Sequence, residues 1–128
     1  MNNGWIGVDL DGTLAEYPGT FGEPHGIGKP ILRMLVRVKE WIKEGKDVRI
    51  VTARAAGPFV NLRGEDVGEQ ASILEVQDWC KKHIGKSLPV TCSKDYSMIE
   101  LWDDRAVQVI PNTGQTMEEF MFERFVQG

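Results

Sequence analysis

The sequence predicts an α/β fold in which a central parallel sheet is flanked by helices. Short apolar runs alternate with segments whose apolar residues recur every three or four positions, the pattern of strands separated by amphipathic helices. Acidic, basic and hydroxyl side chains follow several of these runs, at the sheet edge where parallel sheets bind ligands. The length of 128 residues is typical of one domain, so we expect a single domain over residues 1–128.

The first part of the chain predicts two strands and one helix. Residues 5–10 (WIGVDL) predict a buried strand, and the Gly- and Pro-rich residues 15–29 predict a loop. A helix is predicted from Pro30 to Lys43, with Gly45 positioned to end it. Its apolar residues share one helical face: Ile31, Leu35, Val38 and Ile42. Residues 48–52 (VRIVT) predict the second strand.

The middle of the chain predicts a loop, a helix and a strand. Residues 55–65 predict the loop, and the helix is expected to begin at Glu65 or Asp66 and to end near His83, before Gly85. Residues 88–92 (LPVTC) predict the third strand.

The last part of the chain predicts further strands and a helix. Residues 98–102 (MIELW) predict a fourth strand, and residues 106–110 a short fifth. Residues 116–125 predict an amphipathic helix, which Thr116 and Glu119 would begin as a capping box.

Composition restricts the classes of protein to consider. No apolar run is long enough for a membrane span, and the amino terminus lacks the pattern of a secretory signal. The cysteines Cys80 and Cys92 form no disulfide framework and no common zinc spacing, so we expect reduced thiols in a cytoplasmic protein. The net charge of −4 argues against broad electrostatic binding to nucleic acid.

Charged and hydroxyl side chains cluster at the ends of the predicted strands. They are Asp9, Asp11, Thr52, Arg54, Lys94, Asp103 and Asp104. If the strands are parallel neighbours, four carboxylates converge on one edge, where their repulsion requires compensation. Carboxylate oxygens with few other donors favour Mg²⁺, which also binds substrate phosphates. The sequence therefore predicts a magnesium site suited to a phosphoryl group.

The same side chains suggest a reaction. One carboxylate can attack phosphorus as a nucleophile, and a second can donate and accept the proton that the reaction requires. Residues two apart on an extended strand point to the same side, which explains the spacing of Asp9 and Asp11. A hydroxyl from Thr52 and a cation such as Lys94 would stabilise the charge that spreads over the transferring group.

The segment Asp9-Leu10-Asp11-Gly12-Thr13 resembles the first motif of the haloacid dehalogenase superfamily. Thr52, Lys94 and the pair Asp103-Asp104 resemble its second, third and fourth motifs, in the family's order. The resemblance implies a three-layer Rossmann-like fold, with Asp9 as nucleophile and magnesium ligand. It implies that Asp11 is the general acid/base and also binds magnesium through its backbone carbonyl. It implies that Thr52 and Lys94 bind phosphate and that Asp103 and Asp104 hold the metal. The second aspartate of the first motif is typical of the family's phosphatases.

Two basic positions are less clearly assigned by the resemblance. Lysines 81, 82 and 86 are alternatives to Lys94, although the first two lie inside a predicted helix and the third precedes a strand. The segment containing Arg54 resembles one in polynucleotide 3′-phosphatase domains, where the arginine binds phosphate. A surface arginine at the strand end is the alternative for Arg54.

The gaps between motifs are too short for a cap domain. Residues 15–29 and 55–65 have room for loops that act as a lid, and no more. The resemblance therefore implies a capless member with an open cleft. Such a cleft accepts large substrates or is closed by another subunit, so an oligomer is a further hypothesis.

We therefore expect a magnesium-dependent phosphomonoester hydrolase that acts on a small phosphometabolite or nucleotide through an aspartyl-phosphate. A nucleic-acid 3′-phosphatase is the alternative, favoured by Arg54 and Arg105 and opposed by the acidic charge. A receiver-like phosphoacceptor is disfavoured because receivers have their acidic pair before the phosphorylated aspartate. A non-catalytic phosphate- or metal-binding module is the last alternative.

Overall fold

A computed structural model describes residues 3–17, 26–61 and 63–127 of the chain. Within these residues, four strands and three helices follow one another, with one 3₁₀ turn at Ala53–Ala55. In chain order they are β1 (Trp5–Asp9), α1 (Leu32–Lys43), β2 (Asp47–Val51), α2 (Gly68–His83), β3 (Val90–Thr91), β4 (Met98–Trp102) and α3 (Met117–Gln127).

The four strands form one parallel sheet in the order β3-β2-β1-β4. In β1, Val8 pairs with Ile50 of β2 on one side and with Trp102 of β4 on the other. The predicted α/β class is confirmed, since the helices flank an all-parallel sheet in a Rossmann-like arrangement. The order places the carboxyl ends of β1, β2 and β4 side by side.

The main core lies on one face of the sheet. The alternate strand residues Ile6, Val8, Val48 and Ile50 pack there against buried side chains of α1 and α2, among them Val38 and Val76. Both helices reach the same face because right-handed crossovers from β1 to β2 and from β2 to β3 step in one direction. The two helices therefore cover β1 and β2 on this face of the sheet.

The opposite face is crossed by the chain between β3 and β4. This connection has no helix, and it buries Trp5 of β1 almost completely. The Trp5 indole Nε1–H donates to Asp95 Oδ1 at 2.8 Å, and its backbone N–H donates to Ser97 O at 2.9 Å. The guanidinium of Arg49 stacks 4.7 Å from the centre of the Trp5 ring. These contacts attach the crossover to the central strand.

Most predicted elements are confirmed, with shifts at their ends. The strand at residues 98–102 agrees fully, whereas β3 is shorter than predicted because Pro89 has no N–H to donate to a ladder. The helices α1 and α2 begin two or three residues later than predicted. Residues 106–110 form one antiparallel bridge, from Val109 to Thr116, instead of a fifth strand.

The predicted helix ends are also confirmed. Gly45 and Gly85 follow α1 and α2 with positive φ angles of 81° and 94°, the conformation that glycine adopts most readily. Thr116 and Glu119 form the capping box, each side chain accepting from the other's backbone N–H at 3.0 and 3.1 Å. No helix in the described residues combines the length and apolar character needed to cross a membrane. Much of the predicted 15–29 loop, residues 18–25, lies outside the described residues.

Replacement of a buried strand residue should lower stability far more than replacement of an exposed helix residue. Ile50 is fully buried between the helices and β1, so Ile50→Ala should cost about 2–5 kcal/mol of unfolding free energy. The matched control is Leu32→Ala, because Leu32 is 71% exposed at the start of α1. Urea denaturation measures both variants, and equal losses would contradict the placement of the core.

Candidate active site

The turn after β1 presents two aspartates on either side of a buried leucine. Leu10 is fully buried in the core, while Asp9 and Asp11 both line a cleft at the carboxyl edge of the sheet. The chain then turns back through Gly12, whose φ is +93° and whose N–H donates to Ala15 O at 2.8 Å. A Cβ atom on Gly12 would collide with the carboxylate of Asp104. Glycine at this position therefore permits the close approach of β1 and β4.

Three carboxylates meet where β1 and β4 end. Asp9, Asp103 and Asp104 each offer an oxygen, and these oxygens lie within 4.8 Å of one another. The hydroxyl of Thr13 lies 3.2 Å from Asp9 Oδ2 and 3.4 Å from Asp104 Oδ1, so it can donate to either carboxylate. Three of the four carboxylates predicted for this edge therefore lie together.

The cluster changes the acidity of Asp9. Burial is the largest cause, and a hydrogen bond with Asp104 and the charges of Asp103 and Asp104 add to it, raising the pKa of Asp9 to about 7. The hydrogen bond from Thr13 acts in the opposite direction. Without a cation, a proton on Asp9 is the means by which the cluster reduces its repulsion.

The donor set of the cluster fits a hard divalent cation. Its ligand atoms are carboxylate oxygens that belong to Asp9, Asp103 and Asp104, and two of these residues are half-buried. Mg²⁺ prefers oxygen ligands and commonly keeps several waters beside one or two carboxylates. An acidic group alone does not specify an ion, but this one is compatible with the predicted magnesium.

The side chain of Asp11 belongs to a separate pair. Arg54 donates to both of its oxygens, from Nε to Oδ2 at 2.8 Å and from Nη2 to Oδ1 at 3.0 Å. The guanidinium also lies 3.7 Å from Glu75 of α2. Arg54 lies at the end of β2, with 21% of its side chain exposed, and it lines the cleft. The predicted carboxylates divide into a group of three and one aspartate held by arginine.

Thr52 is the one buried polar residue of the described chain, with 3% of its surface exposed. It follows β2, and its Oγ1 accepts a hydrogen bond of 3.1 Å from the backbone N–H of Arg54, which begins the 3₁₀ turn. The hydroxyl hydrogen is therefore left to donate, and Thr52 lines the cleft. This placement agrees with its predicted contact to an anionic group.

The cleft has a volume of about 670 Å³ and is lined by polar and apolar walls. One wall is formed by Gly57, Pro58, Val60 and Val67. Between Val60 and Val67, the side-chain oxygen of Asn61 accepts from Arg63 N at 2.9 Å and from Glu65 N at 3.0 Å. The lining residues are Asp9, Asp11, Tyr17, Val51, Thr52, Ala53, Arg54, Ala56, Gly57, Pro58, Val60, Val67, Ser72, Glu75, Cys92, Asp103 and Arg105. The predicted 55–65 loop thus forms part of the cleft wall.

The structure does not bring Lys94 into the cleft. Lys94 is exposed after β3, where the chain begins to cross the sheet, and Cys92 lines the cleft instead. Tyr17 and Glu75 also line the cleft, and the sequence did not predict them because neither follows a strand: Tyr17 lies in the loop after the first motif and Glu75 lies within α2. The guanidinium of Arg105 lies 6.0 Å from the centre of the Tyr17 ring, so both stand on the same side of the cleft.

Comparison with known proteins supports the fold and no more. No family model and no curated protein matches the chain. A solved structure of a conserved protein from Bacteroides thetaiotaomicron is similar, with 22% sequence identity and a TM-score of 0.54. The match covers 95% of this chain and 91% of that one. At this identity the similarity establishes a shared fold, and the site must be judged on its own geometry.

Replacement of Asp9 by asparagine should stabilise the metal-free protein at high pH. Because folding raises the Asp9 pKa from 3.8 to about 7, the folded chain binds the extra proton between these values. Stability is therefore lost as the pH rises through that window, and Asp9→Asn avoids the loss. In chelator, the melting temperature should rise more at about pH 8 than at about pH 4.

The matched control is Asp78→Asn, an exposed carboxylate of α2 outside the cluster. Its effect on the melting temperature should be the same at both pH values. An equal effect of Asp9→Asn at both pH values would show that Asp9 is not protonated in the folded protein.

Magnesium should stabilise the wild-type protein, because a ligand that binds only the folded chain raises its unfolding free energy. The variant Asp103→Asn/Asp104→Asn should lose this response, whereas Asp78→Asn should keep it. Calorimetry in MgCl₂ and in NaCl of equal ionic strength measures the difference. Identical melting temperatures in the two salts would rule out a magnesium site at the cluster.

Proposed function

We propose that this chain is a magnesium-dependent phosphomonoester hydrolase of the haloacid dehalogenase type. The observation that carries the proposal is the meeting of Asp9, Asp103 and Asp104 within 4.8 Å, beside the Asp11–Arg54 pair and the Thr52 hydroxyl. These are the residues that the motif resemblance assigns, and they come from three strand ends. The proposal includes a cytoplasmic location, because the cysteines are expected to be reduced thiols.

Asp9 is the proposed nucleophile. Its carboxylate oxygen attacks phosphorus, the bond from phosphorus to the ester oxygen breaks, and an aspartyl-phosphate results. The leaving alkoxide takes a proton from Asp11, which lines the same cleft two residues later. Thr52 donates its hydroxyl hydrogen to the transferring group, and its burial keeps that donor in place.

The second half of the reaction reverses the role of Asp11. Asp11 takes a proton from water, the water oxygen attacks phosphorus, and the bond from phosphorus to Asp9 breaks. Phosphate leaves, and Asp9 is again a carboxylate. The same pair of aspartates thus completes the cycle without a further acid or base.

Arg54 connects substrate binding to the state of Asp11. In the substrate-free chain both Asp11 oxygens accept from Arg54, so Asp11 can hand over a proton only after Arg54 has moved. A phosphate group offers the guanidinium another bidentate partner. We therefore assign Arg54 to phosphate binding, with Glu75 on its other side. The same role for Lys94 is supported by the motif order alone.

Asp103, Asp104 and Asp9 would hold the magnesium ion, consistent with their oxygen donor set. The bound cation would neutralise the three carboxylates and attract a phosphate oxygen into the cleft. Binding would also keep Asp9 unprotonated and available for attack, which is the physical link between the acidic cluster and the chemistry.

The proposed substrate is a small phosphometabolite or a nucleotide. The cleft volume of about 670 Å³ and its apolar wall at Val60 and Val67 suit a small organic phosphate. A nucleic-acid 3′-phosphate is the second candidate, because Arg105 and the Tyr17 ring stand together at the cleft and could contact a phosphate and a base. The net charge of −4 disfavours that candidate.

The test is phosphate release from a panel of an aryl phosphate, sugar phosphates, mononucleotides and a 3′-phosphorylated oligonucleotide. We expect release that requires Mg²⁺ and falls by at least about 10³-fold in Asp9→Asn, since the nucleophile is lost. Asp11→Asn should slow turnover and accumulate the aspartyl-phosphate, because the group that activates water is missing. Mass spectrometry after acid quenching detects that intermediate.

Asp78→Asn is the matched control and should retain wild-type rates, since its carboxylate lies outside the cleft. Full activity in Asp9→Asn would refute the mechanism. The absence of release and of any covalent phosphate across the whole panel would favour a non-catalytic binding module. A rate on the oligonucleotide far above the rates on mononucleotides would select the second candidate.

A further inference from the structure

The guanidinium of Arg54 lies between two carboxylates that belong to different elements. Its Nε and Nη2 donate to Asp11 at 2.8 and 3.0 Å, whereas its Nη1 lies 3.7 Å from Oε1 of Glu75 in α2. The contact with Asp11 is a bidentate, charge-assisted hydrogen bond, and the contact with Glu75 is an ion pair too long for a hydrogen bond. Of these two carboxylates, Asp11 therefore holds Arg54 more strongly in the substrate-free chain.

Glu75 is placed to hold Arg54 more closely than it does here. Its neighbour Val76 is fully buried, and Trp79 donates its indole N–H to Gly28 O at 3.0 Å, so this part of α2 is fixed. The side chain of Glu75 is 58% exposed, and exposed side chains change rotamer readily. A shift of about 1 Å would shorten the 3.7 Å distance to the roughly 2.7–2.9 Å of a charge-assisted hydrogen bond.

The backbone of Arg54 need not move for such a shift. The Arg54 N–H donates to Thr52 Oγ1 at 3.1 Å, and the 3₁₀ turn that begins there packs against α2. This arrangement fixes the point from which the Arg54 side chain extends. Rotation about its side-chain bonds is therefore sufficient to carry the guanidinium from Asp11 toward Glu75.

A phosphate group changes the balance between the two carboxylates. Phosphate competes with Asp11, because both are bidentate acceptors for the Nε and Nη2 donors of Arg54. Glu75 lies at Nη1, on another part of the same group, and a guanidinium has five N–H donors. Arg54 can thus bind phosphate and Glu75 together, whereas it must give up Asp11 to do so.

We infer that Glu75 is a positioning residue that receives Arg54 from Asp11 when a phosphate group enters the cleft. Glu75 stabilises the displaced guanidinium, and the oxygens of Asp11 become accessible to the leaving group and to water. Without Glu75, Arg54 stays on Asp11 for a larger part of the time and turnover slows. This inference rests on the proposed function, because it requires Asp11 as the acid and base.

The first test is the kinetics of Glu75→Gln on the best substrate of the panel. The kcat should fall about 10-fold, which is a part of the roughly 10²–10⁴-fold that a positioned acid or base contributes. The KM should change little, because Glu75 does not itself contact phosphate. In an Arg54→Met background, Glu75→Gln should have no further effect, since Glu75 acts through Arg54. Asp78→Asn on the same helix is the matched control and should keep wild-type kinetics.

The loss should also depend on the leaving group of the substrate. An alkyl phosphate needs a proton on its leaving oxygen, whereas a nitrophenyl phosphate leaves with little help from an acid. Glu75→Gln should therefore reduce kcat/KM more for the alkyl phosphate than for the nitrophenyl phosphate. A raised KM with unchanged kcat, and equal losses for both substrates, would reduce Glu75 to a support for phosphate binding and would overturn the exchange.

A stability comparison tests the exchange without any activity. Asp11→Ala removes the stronger of the two carboxylate contacts, so Arg54 should shift to Glu75. Glu75→Gln should then lower the melting temperature more in Asp11→Ala than in wild type. The difference should disappear when Arg54 is replaced by methionine, because the coupling passes through its guanidinium. Equal losses of melting temperature in wild type and in Asp11→Ala would overturn the exchange.

The two tests separate this inference from the proposed function. Absence of phosphate release by wild type would refute the proposed function, and the melting temperatures would still decide whether Arg54 passes from Asp11 to Glu75. An active wild type together with an unchanged kcat in Glu75→Gln would overturn the inference alone.

Discussion

The site depends on the parallel pairing of β1 with both β2 and β4. This pairing brings the end of β1, with Asp9, against the end of β4, where Asp103 and Asp104 follow. Burial raises the pKa of Asp9, and the repulsion between like charges at such distances raises it further. The sheet can impose the arrangement because the core residues Val8 and Ile50 fix the register of the strands that carry it.

The turn after β1 shapes the cleft beside these carboxylates. Leu10 anchors the turn in the core, while Gly12 leaves room for the Asp104 carboxylate, where a Cβ atom would collide. Asp11 is thereby separated from the acidic cluster and held by Arg54, which itself lies at the end of β2. A cation-binding group and an anion-binding group thus lie within one cleft, which is the electrostatic pattern that a metal-bound phosphate requires.

Much of the fold could be predicted from local patterns, whereas the position of Lys94 depends on contacts between distant parts of the chain. The strand over residues 98–102 and the capping box at Thr116 and Glu119 depend on neighbouring residues, so the sequence is sufficient to find them. The position of Lys94 depends on the path of a crossover without a helix, which Trp5 fixes through Asp95 and Ser97 from distant parts of the chain. Motif order alone predicts that Lys94 lies near the other motifs, whereas the path of the crossover places it outside the cleft.

The sequence by itself determined the fold class and the chemistry available at the strand ends, because alternation, helical spacing and charged strand ends are local patterns. Only the tertiary structure decided which charges meet. It grouped three carboxylates, paired Asp11 with Arg54 and left Lys94 outside the cleft, because strand order and turn geometry set those distances. It also decided that apolar side chains of α3 such as Phe122 and Phe125 lie in solvent. Helical spacing shows that a helix has an apolar face but does not show what covers that face.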